Sequence, residues 1–313
     1  MHQETVALGH DDDRGAEMDQ QSTDVADTPD GDLADDGVGV GGRTPEGTEQ
    51  ASPAESTGRS RIPPLEAVQQ HTLATGLLEM ADEFLASQGF TEHGFRHANL
   101  VGHIAYNVLT HLGFDERLAE LGAVSGYLHD IGNVVSRANH GQSSGLIAMT
   151  ILRELDVPVH DIAQVMGAAG NHEESYGVAV SPVSAAVIVA DKSDVHRSRV
   201  RDTGDIDNDI HDRVNYAVTS SFLRVSPRSR DLARQESGLV ESNIFTDDGE
   251  RMLVRPGDPD VRRTLTLELT VDTDVTPVFE YFEIFMERMV MCRRAGRTLG
   301  AEFRITVNDV PVL

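Results

Sequence analysis

The stretch DERLAELGAVSGYLHDIGN (residues 115–133) decides how the chain is read. Asp115 is a helix N-cap, because its short carboxylate can accept a first-turn amide. Leu118, Leu121 and Val124 follow three residues apart, which predicts a helix running up to the adjacent His129 and Asp130. Two side chains able to bind a proton or a metal therefore stand together at a helix end. Upstream, Leu65, Val68, Leu73, Leu77, Met80, Phe84 and Leu85 recur at helical steps between Pro63-Pro64 and Gly89. A second helix begins near Gly94, with Val101, Ile104, Ala105 and Val108 on one face. Downstream, the periodicity predicts helices at about 143–155, 158–171 and 182–197. The last contains AVIVA (186–190), which is strand-like by propensity. Pro182 at its first position and the spacing of Val183, Val187 and Ala190 favour helix.

Residues 63–200 thus read as an all-α domain, and residues 201–313 change period. A short helix at 209–217 precedes VTSSFLRV (218–225), which alternates like a strand, as do RTLTLELTV (263–271) and AEFRITVND (301–309). Between the last two lies an amphipathic helix, TPVFEYFEIFMERMVMCRRA (276–295), with arginines where the dipole favours cations. Residues 226–260 read as a long connection. The expectation is a mainly α protein with a small C-terminal α+β appendage of about three strands and one long helix.

Residues 1–62 differ in kind. They carry fifteen acidic and four basic side chains and few apolar ones, too little to offset chain entropy, so an acidic disordered tail is predicted. The formal net charge is −26 and Lys192 is the only lysine, a pattern suited to solubility where salt screens charge repulsion. Such a surface argues against a nucleic-acid polymer or an anionic membrane as partner, while leaving room for a small anionic substrate held by local cations. The single cysteine, Cys292, excludes an internal disulfide framework and reads as core rather than nucleophile. No long apolar run and no basic-then-apolar start are present, so a cytoplasmic location is expected.

The residues that carry chemistry are His97 in FRHANLVGHIA (95–105), His129 and Asp130, His140 in RANHGQSSG (137–145), His172 in GNHEESYG (170–177) and Asp191 in VIVADKSDV (187–195). A lone buried histidine is usually an ordinary core residue. Several imidazoles and carboxylates at or near successive helix ends make an N/O ligand set suited to Fe, Mn or Zn. The glycine run GVGVGG (37–42) follows no strand and leads into no helix, so it is not a phosphate loop. Ser143 and Ser144 read as helix-start residues.

The order His97, His129-Asp130, Asp191 resembles the signature of the HD superfamily of metal-dependent phosphohydrolases, with LHDIG and VADKSD as the closest stretches. The resemblance covers about residues 91–200 and implies an HD-type helical bundle. His140 and His172 fall where members with two metals place extra ligands. The resemblance further implies two divalent transition metals, one held by His97, His129 and Asp191, the other by His140 and His172, with Asp130 bridging. A metal-bridging hydroxide would then attack a phosphate mono- or diester, such as a nucleotide. Asn133 and Asn171 stand where the cyclic-di-nucleotide branch usually has lysine and histidine, which argues against that substrate.

Lys192 reads as a catalytic or phosphate-contacting residue, or as an ion-pair partner of an acid such as Asp194. Arg197 and Arg201 would share a helix face, and contact substrate, if the 182–197 helix continued. Glu173 either orients a ligand or is solvated; His93, His103 and His111 read as surface or second-layer side chains. Two other readings stand beside the hydrolase: a di-iron oxygenase of the HD type, and a non-catalytic nucleotide sensor. The appendage offers strand edges and a Met- and Phe-rich helix through which a homo-oligomer could form.

Overall fold

The computed structural model describes residues 64–201, 206, 210–229 and 261–313. The acidic tail and most of the 226–260 connection lie outside the described residues. Those described are mostly helical, with a small C-terminal sheet. The first predicted helix is divided at Gln70-His71 into α1 (Leu65–Gln69) and α2 (Thr72–Ser87). There follow α3 (Phe95–His111), α4 (Glu116–Leu128), α5 (His140–Glu154), α6 (Val159–Gly170) and α7 (Pro182–Ser193).

Helices α4 and α7 form the centre. Asp115 caps α4 by accepting the Leu118 amide, and every residue from Leu121 to Leu128 is buried. A helix enclosed on all sides loses the polar stripe of a surface helix, which is why this stretch is rich in small residues. Gly126 shows the need for them: a Cβ there would lie 2.8 Å from Gly102 Cα of α3. The AVIVA stretch lies within α7, and all residues from Val183 to Ala190 are buried. Strand-like propensity yields to burial around the whole helix circumference. Ser181 accepts the Ser184 amide at the helix start.

One expectation is corrected here. Helix α7 ends at Ser193 instead of running to residue 197, and a separate single turn occupies Arg197–Arg199. Asp194 leaves the helix with ψ near 72° because its carboxylate is drawn inward by buried partners described below. Arg197 and Arg201 therefore share no helix face.

Helix α8 (Ile210–Ala217) leads into β1 (Val218–Ser229), which pairs antiparallel with β2 (Val261–Val271). Helix α9 (Val278–Thr298) crosses over to β3 (Ala301–Val307), parallel to β2, and the short β4 (Val310–Pro311) closes the order β1-β2-β3-β4. Leu223, Leu267 and Ile305 align across the three long strands and are all buried. Tyr281, Phe285, Met289, Met291, Cys292, Ala295 and Gly296 are the buried residues of α9. The hydrophobic core is continuous from the bundle into this sheet, with α9 packed on α7. Among the described residues no helix is long and apolar enough to cross a membrane.

Candidate metal centre

The structure brings six side chains to one place. His97 is in the first turn of α3, His129 and Asp130 follow the last turn of α4, His140 opens α5, His172 comes just after α6, and Asp191 is in the last turn of α7. Three of these positions are helix C-termini, where the partial negative charge of the helix favours cations. All six are nearly or wholly buried; Asp191 is the most exposed, its side chain at 12%. Gly132 allows the assembly. A Cβ there would collide with the carbonyl oxygen of His140 and the amide of Ser144, so only glycine lets α5 start against Asp130. The Gly132 amide donates to Ser144 Oγ (2.8 Å), pinning that approach.

Three of the four rings are turned by the same device. The Nδ1–H of His129 donates to Gly126 O (2.7 Å), that of His140 to Arg137 O (3.0 Å), and that of His172 to Ala169 O (2.6 Å). In all three the acceptor is the carbonyl three residues back. His97 Nδ1 instead donates to Asp194 Oδ2 at 2.7 Å. With the proton fixed on Nδ1, every Nε2 presents a lone pair inward. The result is two close pairs, His97 and His129 at 3.3 Å and His140 and His172 at 3.0 Å between Nε2 atoms. Lone pairs at that distance repel unless a proton or metal ion sits between them.

The carboxylates complete two sets. Asp130 Oδ2 lies 3.5 Å from His97 Nε2 and 3.3 Å from His129 Nε2, and Asp191 Oδ1 lies 3.4 and 3.6 Å from the same two atoms. Asp130 Oδ1 faces the other way, 2.9 Å from His140 Nε2 and 3.5 Å from His172 Nε2. A cation with bonds of about 2.1 Å has ligand–ligand edges of about 3.4 Å in a tetrahedron and about 3.0 Å in an octahedron. The observed separations match those edges, so the donor set fits a metal ion. Two triplets, His97-His129-Asp191 and His129-Asp130-His172, keep their ligand atoms within 4.8 Å of one another. These buried His/Asp clusters could bind a metal ion.

Without a cation, protons take its place. Burial disfavours the charged ring of His129, yet Asp130 and Asp191 hold its pKa up at about 10. Burial likewise opposes His140, but Asp130 and Glu173 raise it to about 9. Burial works against the Asp130 carboxylate, but His129, His140 and His172 pull it well below its usual range. Asp191, also opposed by burial, is held low first by Lys192 and then by His129 and His97.

Surrounding side chains fix the six converging residues, and most of these contacts are not legible in the sequence. Asp194 accepts from His97 and from both terminal nitrogens of Arg96 (3.3 and 3.0 Å), with Arg199 Nε 3.7 Å away. It does not pair with Lys192. Lys192 Nζ binds Asp191 Oδ2 (2.6 Å) and Glu174 Oε1 (3.0 Å), and Arg288 from α9 binds the same glutamate oxygen (3.0 Å). Asp191 thus offers one oxygen to the histidines and the other to Lys192. Glu173 Oε1 accepts from the Gly141 amide (3.0 Å) and Tyr176 hydroxyl (2.7 Å) and lies 2.9 Å from His140 Nδ1, so it orients a ring instead of facing solvent. Burial would raise its pKa, but His140, Gly141 and Tyr176 hold it near 2.

The opening over the cluster is lined by His93, Asp130, Arg137, His140, His172, Glu173, Glu174, Asp191, Lys192, Arg199 and Arg288, and encloses about 20 Å³. That is room for about one water or ion. His93 belongs to the site: its ring centroid is 5.5 Å from that of His97. A larger cavity of about 240 Å³ lies behind Asp194, between α3 and β1, away from the convergent histidines. Arg197 and Arg201 line neither space. Arg197 stacks over Tyr216 at 5.0 Å, and Arg201 is paired with Asp82 and with the Phe90 carbonyl. His103 is exposed and His111 half-buried, both away from the cluster. Cys292 is buried in α9, and burial pushes its thiol up, out of the range of a nucleophile. No protein-family model, no curated protein and no solved structure matches this chain.

Proposed function

We propose that the protein is a metal-dependent phosphohydrolase with an HD-type helical bundle, acting on a small phosphate ester. The observation that supports it is the divided carboxylate of Asp130, with one oxygen toward His97 and His129 and the other toward His140 and His172. A shared carboxylate between two nitrogen-rich sets is how two cations are held a few ångströms apart. His97, His129 and Asp191 would hold one, His140 and His172 the other, and Asp130 both. Nitrogen and oxygen donors suit manganese, iron or zinc. When bound, such a pair supplies Lewis acidity, lowers the proton affinity of water and neutralises charge on a phosphoryl group.

The protein's own groups prepare that chemistry. Burial of the six ligands excludes bulk water and strengthens each electrostatic contact. The carbonyls of Gly126, Arg137 and Ala169, with Asp194, fix the ring tautomers so that no reorientation is needed when a cation enters. Lys192 stays charged: burial opposes it, but Asp191 and Glu174 raise its pKa. Its contacts give it an electrostatic role, fixing Asp191 and presenting positive charge to the opening. Four basic side chains at the opening balance its four carboxylates in a chain of net −26, so bound cations would supply the positive charge that draws a small anion to an otherwise repelling surface.

The test is metal analysis of the purified protein followed by a phosphate-release screen over nucleotides and simple esters with manganese, iron or zinc. The expected result is transition metal in the purified chain and phosphate release that Asp130→Ala abolishes. A folded Asp130→Ala variant with full metal and full activity contradicts the reading. Oxygen uptake with a mixed-valence di-iron signal, and no phosphate release, would replace it with an oxygenase.

A further inference from the structure

Four arginine or lysine and four carboxylate side chains line the opening over the cluster, so once the histidines are neutral, as ligands must be, these charges cancel. Two divalent cations would leave four positive charges uncompensated. A centre of that charge favours the dianion of a phosphomonoester over the monoanion of a diester, since attraction scales with ligand charge. The open space is about 20 Å³, room for about one water or ion, so a phosphoryl group would meet the cluster from the mouth of the opening, with the remainder of the substrate outside it.

The cations at that opening are not equivalent. Lys192 is shared between Asp191 and Glu174, Arg288 is spent on Glu174, and Arg199 donates to the carbonyls of Glu92 and Asp194. Arg137 differs: among the described residues no carboxylate lies within ion-pair distance of it. Its guanidinium sits over the Phe90 ring at 5.4 Å, and one terminal nitrogen donates to Asn133 Oδ1 at 3.2 Å. Stacking and a single neutral hydrogen bond hold the planar group in place and leave most of its N–H donors and its whole charge for a ligand. The residue is also tied to the cluster, because its carbonyl accepts the His140 Nδ1–H.

We propose that the centre takes a phosphomonoester and that Arg137 grips its dianionic phosphoryl group. This rests on the phosphohydrolase reading above. The test uses the metal-loaded full chain, with inorganic phosphate titrated calorimetrically and metal content measured in parallel. Arg137→Gln should weaken phosphate binding at least tenfold with metal content unchanged. Arg137→Lys, which keeps the charge but not the fork, should weaken it a few-fold. With p-nitrophenyl phosphate, Arg137→Gln should raise KM more than it lowers kcat. The unaltered protein should prefer this monoester to bis(p-nitrophenyl) phosphate at least tenfold. Phosphate binding unchanged in Arg137→Gln, or a preference for the diester, overturns the proposal. Loss of metal from both variants also overturns it, because Arg137 would then be a brace for the His140 loop. Metal-loaded protein that binds no phosphate and hydrolyses neither ester removes the phosphohydrolase reading itself.

Discussion

Replacing Asp194 tests whether this second-layer carboxylate holds the first metal set. Asp194 is 3% exposed and receives three cationic or polar side chains: His97 at 2.7 Å, Arg96 through both terminal nitrogens, and Arg199. Asp194→Asn keeps an oxygen that can accept the His97 Nδ1–H but removes the charge. Asp194→Ala removes both and lets the ring turn. Removing one partner of a buried charge network costs about 3–5 kcal/mol. Here the low end applies, about 3 kcal/mol, because Arg96 is 37% exposed and keeps Glu92, while Arg199 keeps two backbone carbonyls. Outer-layer partners of a metal-binding histidine are worth roughly 10–100-fold in metal affinity, about 1.4–2.7 kcal/mol. The asparagine variant should lie near the lower figure and the alanine variant near the upper. Urea unfolding gives the stability change, and titration against a fluorescent chelator gives the affinity. Arg201→Gln is the control: it breaks the partly exposed Arg201-Asp82 ion pair away from the cluster, and should cost no more than about 1 kcal/mol with metal affinity unchanged. An Asp194→Ala variant that folds and keeps its metal affinity within twofold refutes the assignment of Asp194 as the brace of His97.

Two further outcomes follow from the same geometry. Gly132→Ala should destabilise the chain by roughly 1–3 kcal/mol and weaken metal binding, because the added methyl must push the start of α5 away from Asp130; chemical denaturation and metal titration read both, and an unchanged pair of values would mean the α5 start yields freely. His129 and His140, raised to about 10 and about 9 in the metal-free protein, are protonated at pH 7, so metal entry must expel protons. Calorimetry in buffers of different ionisation enthalpy should show proton release at pH 7 that fades toward pH 10. The same rings stabilise the metal-free fold fully below their unfolded value near 6.5, and that contribution is lost as pH rises through 9 to 10.

Much of the fold was readable because it rests on periodicity. Helices α3 to α7 and the strand alternation of β1 to β3 follow from apolar spacing, and even AVIVA resolved correctly because Pro182 marks a helix start. The sequence also singles out the side chains that converge, His97, His129-Asp130, His140, His172 and Asp191, because they stand at or near successive helix ends. What sequence spacing does not carry is which charges meet across long separations. Proximity in sequence offers Asp194 as one candidate partner for Lys192 two residues away, but it turns to His97 and Arg96, ninety-seven and ninety-eight positions distant. Lys192 finds Glu174 on the loop after α6, and Arg288 arrives from α9 in the appendage. Arg197 and Arg201 would share a face only if the 182–197 helix continued, and it ends at Ser193, where Asp194 turns out of the helical conformation toward His97 and Arg96. Arg137 carries no periodic signal at all; only its place over Phe90 beside the opening distinguishes it.

The account depends most on Asp130 dividing its two oxygens between two cations. Anomalous diffraction from crystals grown with manganese measures this directly. Two peaks about 3.5–4 Å apart, one among His97, His129 and Asp191 and the other beside His140 and His172, with the Asp130 carboxylate between them, are predicted. A single peak, or two that do not share Asp130, would contradict it.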